Sequence, residues 1–305
     1  MATGGVITNL GKNVMINRTY KSSPDYTIPS TFRMGIGTTT PVVTDTALDI
    51  HIPLANGTVN DNGSNTLTSS AGGEDTTDNT STYKEGAGIT DATSQNLLTD
   101  NSSVTKRWYI ANLASAGTKI TGTEPVSLWI YIYDAATLAM FKTSGTALEV
   151  RLGSTLDTDY YSVTRTSAQL AVGWNWITTG TVNVEDLSET GTVAGDIDTF
   201  EIVITTNNAT DDWTDGYVIY DLLRQWAVAD LSDNFVTGYP VFDEVNKKVT
   251  LRYYLNSLQA NGFPLAETGS FNTDGTPLMI DRDVFTSISK TSSDEIAIVV
   301  VNTMV

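Results

Sequence analysis

The 305-residue chain contains no cysteine and a single histidine. Without cysteine there is neither a disulfide framework nor a thiolate metal site, and the composition fits assembly in a reducing cytosol. The lone His51 sits in "DIHIP", and no Gly-Xxx-Ser-Xxx-Gly elbow occurs anywhere in the chain. A Ser-His-Asp triad therefore lacks its setting, and His51 reads as a strand residue facing solvent or a neighbouring subunit. Cations are scarce too: 17 Lys and Arg stand against 35 Asp and Glu, for a formal charge of −18. That balance argues against a nucleic-acid groove, which needs clustered Lys and Arg, and disfavours anionic membrane surfaces. No apolar run approaches the roughly eighteen residues of a membrane-spanning helix. The opening "MATGGVITNLGKNVMINRTY" lacks the basic and long apolar segments of a signal peptide, so any work outside a cell is expected to follow release by another route.

What is present points to β structure. Hydrophobic residues make up 40% of the chain and charged ones only 17%, so Thr, Ser and Asn must supply much of the surface. Thr favours strands over helices. Short strands separated by turn signals recur through "KRWYIANL", "VSLWIYIYD", "ALEVRLGS", "DYYSVTR", "WNWITTGTVNV", "DTFEIVITT" and "GYVIYDLLRQW", the spacing of a β-sandwich or jelly roll. Alternation in "SLWIYIYD" places Leu128, Ile130 and Ile132 on one face and Trp129, Tyr131 and Tyr133 on the other. The one short helix expected lies near "DLLRQWAVADL", where a strand end is the alternative.

Four regions differ in texture. Residues 1–55 alternate short apolar runs with turns. Residues 56–82 are Gly, Ser, Asn, Thr and Asp with almost no apolar anchors, a linker composition. Residues 83–226 carry the sandwich strands. Residues 227–305 give a hairpin turning at Asn246-Lys247, a second turning at Asp274-Gly275, and a third strand in "IAIVVV". A ribbon of that size does not stand alone in water. Its natural partner is the N-terminal region, also too small to fold by itself. The expected fold is therefore all-β: a jelly-roll sandwich inserted in a smaller, discontinuous β-domain built from both termini.

Two segments carry a resemblance. "MGIGTTTPVVTDTAL" and the later "ETGSFNTDGTPLMIDRDVFTSISK" are similar to paired segments of tailed-virus virion structural proteins. The middle resembles concanavalin-like or carbohydrate-binding-module jelly rolls found in virion appendages. What the resemblance implies is a non-enzymatic subunit on the virion exterior, a capsid or tail appendage with other virion proteins as partners. Homo-oligomers and a host-surface glycan are the further partners it implies. An assembly role falls on Phe271, Arg282, Phe285 and Lys290, the positions that match the pattern.

Candidate chemistry is thin. Asp157, Asp159, Asp211, Asp212, Asp215 and Asp221 offer hard oxygen ligands or a carboxylate pair. Acidic residues at turns are also what any acidic β-protein shows, so solvated turns come first, a structural calcium at Asp211 and Asp215 second, and catalysis last. No other cofactor is implied. Aromatic residues concentrate in the sandwich, where Trp and Tyr stack on sugar rings or simply fill the core. Trp213, beside Asp212 in a polar loop, is expected to be the most exposed, and Trp129 and Tyr131 complete a candidate glycan platform.

Overall fold

A computed structural model describes residues 5–54, 58–60, 67–70, 72–73, 77–79, 94–113, 120–214, 216–227, 231–290 and 293–303. The chain begins with strand β1 (Val6–Ile7), helix α1 (Asn9–Tyr20) and β2 (Thr31–Gly35). There follow β3 (Thr58–Asn60), β4 (Thr68–Ser70), β5 (Thr77–Asn79), β6 (Ser94–Asn96), β7 (Thr105–Ile110) and β8 (Val126–Ile132). After helix α2 (Ala135–Met140) come β9 (Leu148–Thr155), β10 (Asp159–Arg165), β11 (Gly173–Thr178), β12 (Ser188–Thr190), β13 (Thr199–Thr205) and β14 (Val218–Gln225). The last stretch holds β15 (Asp233–Asn234), β16 (Val241–Asp243), β17 (Lys248–Leu255), β18 (Pro264–Phe271), β19 (Met279–Ser289) and β20 (Ile296–Thr303). All strand pairs are antiparallel, and the class is all-β. No helix among the described residues is long and apolar enough to cross a membrane.

The chain divides into two compact units, residues 57–226 and residues 1–56 with 227–305. In the 57–226 unit one sheet runs β12-β10-β9-β13-β7-β4 and a second runs β11-β8-β14-β6-β5, with β3 also on β14. Alternation along the strands explains how the two share one core. Leu128, Ile130 and Ile132 of β8 join Val150 and Leu152 of β9, Phe200, Ile202 and Ile204 of β13, and Trp108 of β7. Each fully buried side chain of this kind contributes about 1.5–3 kcal/mol. The opposite face of the first sheet is charged. There Arg107 Nε lies 2.8 Å from Glu201 Oε2, and Arg107 and Arg151 both reach Asp157.

The other unit contains the sheet β1-β19-β18-β2-β15 and a separate sheet β16-β17-β20. β18 and β19 form a hairpin, and β2, from the opposite end of the chain, pairs along β18. The two sheets meet where Phe32 of β2 stacks on Tyr253 of β17, ring centroids 4.6 Å apart.

Several local expectations need correction. Residues 56–82 are not linker throughout, because β3, β4 and β5 pair into the sheets; edge strands of Thr, Ser and Asn need few apolar anchors. In "DLLRQWAVADL" the strand-end alternative holds, since residues 221–225 close β14; residues 228–230 lie outside the described residues, and the helices are elsewhere. Thr8 caps α1 by accepting from Gly11 N at 2.9 Å, and Asp134 caps α2 by accepting from Thr137 N at 2.8 Å; such caps satisfy otherwise free amides. The apolar strand after the second hairpin, β20, does not extend that ribbon but pairs with β17 over its full length.

Candidate interaction surfaces

The outer face of the second sandwich sheet is aromatic. Pairing of β8 with β11 sets Trp174 opposite Tyr131 and Trp176 opposite Trp129. The rings touch in sequence: Tyr131–Trp174 at 5.3 Å, Trp174–Trp129 at 6.4 Å, Trp129–Trp176 at 6.4 Å and Trp176–Trp226 at 6.3 Å between centroids. They are not coplanar, since Trp129 and Trp174 meet edge to face at 88°. Trp129 is only 4% exposed, whereas Trp174, Trp176 and Tyr131 are half-buried. A sugar ring therefore has access to the latter three but not to Trp129, which corrects its place in the platform. Asp221 and Arg224 of β14 stand opposite Trp129 and Ser127, and both are buried.

Trp213 is not an exposed platform residue. It is 3% exposed, packs on Phe141 at 5.7 Å, and its indole Nε1 donates to Leu97 O at 2.7 Å. The polar loop hid this because its acids are held by hydrogen bonds, one local and one to a distant segment. Asp212 accepts from Thr99 Oγ1 at 2.7 Å, and Asp211 accepts from Asn208 N at 2.7 Å. Asp215 lies outside the described residues. Among the described residues no three His, Asp or Glu side chains group as a metal site. Asp157 and Asp159 do not face each other across a cleft either: Asp157 holds two arginines, and Asp159 accepts from Thr192 N at 3.0 Å.

The segment that includes "GIGTTTPVVTDTALDI" closes around one ion pair. Glu267 of β18 accepts from Gly37 N at 3.2 Å, Asp49 N at 3.1 Å and Ile50 N at 2.8 Å. Arg282 of β19 approaches the same carboxylate and reaches on to Asp45 at 2.9 Å and Thr39 Oγ1 at 3.0 Å. Two glycines make room for it. A Cβ at Gly35 would stand 2.3 Å from Glu267 Oε1, and one at Gly37 2.6 Å from it. Burial works against the guanidinium's charge, but hydrogen bonds to Asp45 and Glu267 overcome it and leave the Arg282 pKa raised.

Three of the four residues assigned to assembly are thus internal. Arg282 is committed to its own unit, Phe271 is buried beneath the Arg33 guanidinium at 4.6 Å, and buried Lys290 donates to Asn261 Oδ1 at 2.6 Å. None presents its side chain to a neighbouring subunit; Phe285 is half-buried. Nor does His51 face solvent freely: it bridges Gly35, and burial, then the charge of Arg33, lowers its pKa.

What the unit does expose is the sheet β16-β17-β20. Register places Val241, Thr250 and Val301 in one row, Arg252 and Val299 in the next, and Tyr254 and Ala297 in a third. Val299 is 54% and Val301 52% exposed, with Val241 and Tyr254 exposed beside them. β20 is an edge strand, eight residues long, without a charge or a proline. No protein-family model, no curated protein and no solved structure matches this chain.

Proposed function

We propose that this protein is a non-enzymatic structural subunit on the exterior of a virion, assembling with copies of itself and docking on other virion proteins. In this reading residues 1–56 and 227–305 form the discontinuous assembly domain, and the 57–226 sandwich is an inserted jelly roll that serves as the exposed module. The observation that carries it is the edge of β20. Natural sheets blunt a free edge with charges, proline, bulges or short length, and β20 has neither charge nor proline over eight residues. Antiparallel pairing of two β20 strands about Val300 sets Val299 against the partner's Val301 twice, apolar cross-strand pairs on one face. Copies joined by a two-fold contact of this kind present the same patch to each other.

Multi-angle light scattering on the full chain tests the reading. A discrete oligomer is expected, and Val299→Lys with Val301→Lys is expected to yield monomers with an unchanged thermal midpoint. A wild-type chain that stays monomeric at high concentration removes the support from β20.

A second reading, adsorption of a host-surface glycan, is favoured by the half-buried Trp174, Trp176 and Tyr131 on the sandwich's outer face. Glycan-array binding lost in Trp174→Ala, with the fold intact by circular dichroism, supports it; no glycan bound by the oligomer argues against it.

A further inference from the structure

Helix α1, the three-stranded sheet and β19 line a cavity of about 460 Å³ that opens to solvent beside the exposed Phe242 and Ile28, a volume suited to a small ligand. Its walls are apolar: Val14 and Met15 of α1, Phe242, Val249 and Leu251 of β16 and β17, and Ile280 of β19. One patch of the lining differs in kind. Asp281, itself about 1% exposed, lines the cavity together with Ser270 and Asn302. Ser270 donates to Asp281 Oδ1 twice, from its backbone N at 2.8 Å and its hydroxyl at 2.7 Å, and Asn302 Nδ2 donates to Oδ2.

All three of those donors are neutral. Among the described residues no lysine or arginine pairs with Asp281, and Arg282 beside it is turned to Glu267. The ionisable neighbours on its own face are Asp283 and Tyr253, which add no positive charge. Arg18, the one cation of the lining, has its Nη1 held by Tyr26 O at 2.6 Å. A carboxylate offers about four acceptor sites, so Oδ2 keeps capacity for one more donor. Burial raises the Asp281 pKa, so the charged form is disfavoured there and a bound cation would favour it.

We infer that this cavity binds a small organic cation, a primary ammonium on an apolar body, with its nitrogen on Asp281 and its body against Val14, Val249 and Leu251. An ammonium donates to Oδ2 and supplies a positive charge beside a carboxylate that is itself buried, where such a bond is stronger than in open water. An anionic amphiphile meets repulsion from Asp281, and a neutral one leaves the acid uncompensated. The net charge of −18 raises the local concentration of cations. The cavity lies on one face of the three-stranded sheet, with Val249, Leu251 and Asn302, whereas Val299 and Val301 of β20 lie on the other.

Isothermal titration calorimetry of the full chain with n-hexylammonium, n-hexanoate and n-hexanol at physiological salt tests the site. Saturable uptake of one hexylammonium per chain is expected, with hexanoate and hexanol weaker by about tenfold or more. Asp281→Asn keeps an acceptor for Ser270 and removes the charge, so hexylammonium affinity is expected to fall by about tenfold or more. Where circular dichroism shows that this variant does not fold, Val249→Phe fills the cavity from its apolar wall with the acid in place and is expected to abolish uptake. Absence of uptake, uptake of several cations that neither variant reduces, or hexanoate bound as tightly as hexylammonium overturns the proposal.

Discussion

Arg282 and Glu267 meet on adjacent strands with Nε at 2.9 Å and Nη2 at 2.8 Å from the same carboxylate oxygen, and both side chains are buried. The pair pins loop residues Thr39, Asp45, Asp49 and Ile50, so it holds a long irregular segment against the sheet. Removing one member leaves the other charge buried without its partner, a loss of about 3–5 kcal/mol. Glu267→Gln is expected to lower the unfolding free energy by that amount, read as a lower urea midpoint with the slope unchanged. Gly37→Ala is expected to be destabilising as well, because its Cβ enters the space of the Glu267 carboxylate and of Asp49. Equilibrium urea unfolding checks both.

A pH dependence follows from Asp283. Burial, then the charge of Asp281, raises its pKa from 3.8 to about 7. Between those values the folded chain holds a proton that the unfolded chain has released, so stability falls as pH rises. The contribution is full below about pH 4 and gone above about pH 7. Between about pH 5 and about pH 8 the unfolding free energy is expected to drop by on the order of 2–3 kcal/mol through this group. Asp281, raised in the same direction by burial, steepens the fall. Urea unfolding at both pH values is expected to show the drop reduced in Asp283→Asn, and an equal drop in the variant excludes Asp283 as its source.

The tryptophans are expected to separate by role. Trp213→Ala opens the sandwich core and leaves Leu97 O without its indole donor, a cost of about 3–5 kcal/mol. Trp174→Ala, on the outer face and half-buried, is expected to cost less than half as much. Acrylamide quenching gives an independent reading: Trp213→Phe removes protected emission, whereas Trp174→Phe removes accessible emission.

On the charged face, Glu201 and Asp157 both serve Arg107 and Arg151, but Glu201 is buried and Asp157 is exposed. Asp157→Ala is expected to cost below about 1 kcal/mol, as exposed ion pairs do. Glu201→Gln leaves two arginines facing a neutral group and is expected to cost several-fold more. Thermal melts of the two variants order them.

Strand alternation was legible wherever one face is buried: Leu128, Ile130 and Ile132 lie in the core, and Trp129 and Tyr131 lie on the reverse face of β8. The Asn246-Lys247 turn was legible too, since Lys247 takes a positive φ, whereas Asp274 and Gly275 in the second hairpin's loop do not. Helix α1 was not, because it buries only Gly11 and Val14 and so carries almost no apolar periodicity. Exposure of single aromatics failed for the same kind of reason. Trp213 is surrounded in sequence by Asp and Thr, yet Asp211 caps its own turn, Asp212 accepts from the distant Thr99, and the indole goes inward. Motif residues such as Arg282 and Lys290 stood out in the sequence, but whether a conspicuous cation faces a partner or its own core depends on tertiary contacts. The acids of "MIDRDV" carried a readable signal: at i and i+2 of a strand, Asp281 and Asp283 must share a face.

The pairing of β2 with β18 has a consequence for synthesis. The Thr268 hydroxyl donates to Arg33 O across 235 positions of sequence, so a ribosome releases β2 long before its partner strand exists. The intervening sandwich has all its strands in hand first and can fold while translation continues. The sheet that joins β2 to β18 closes only after the sandwich strands have been made, and β20 emerges after β18 and β19. A chain that stops before β18 therefore carries every sandwich strand while β2 still lacks its partner.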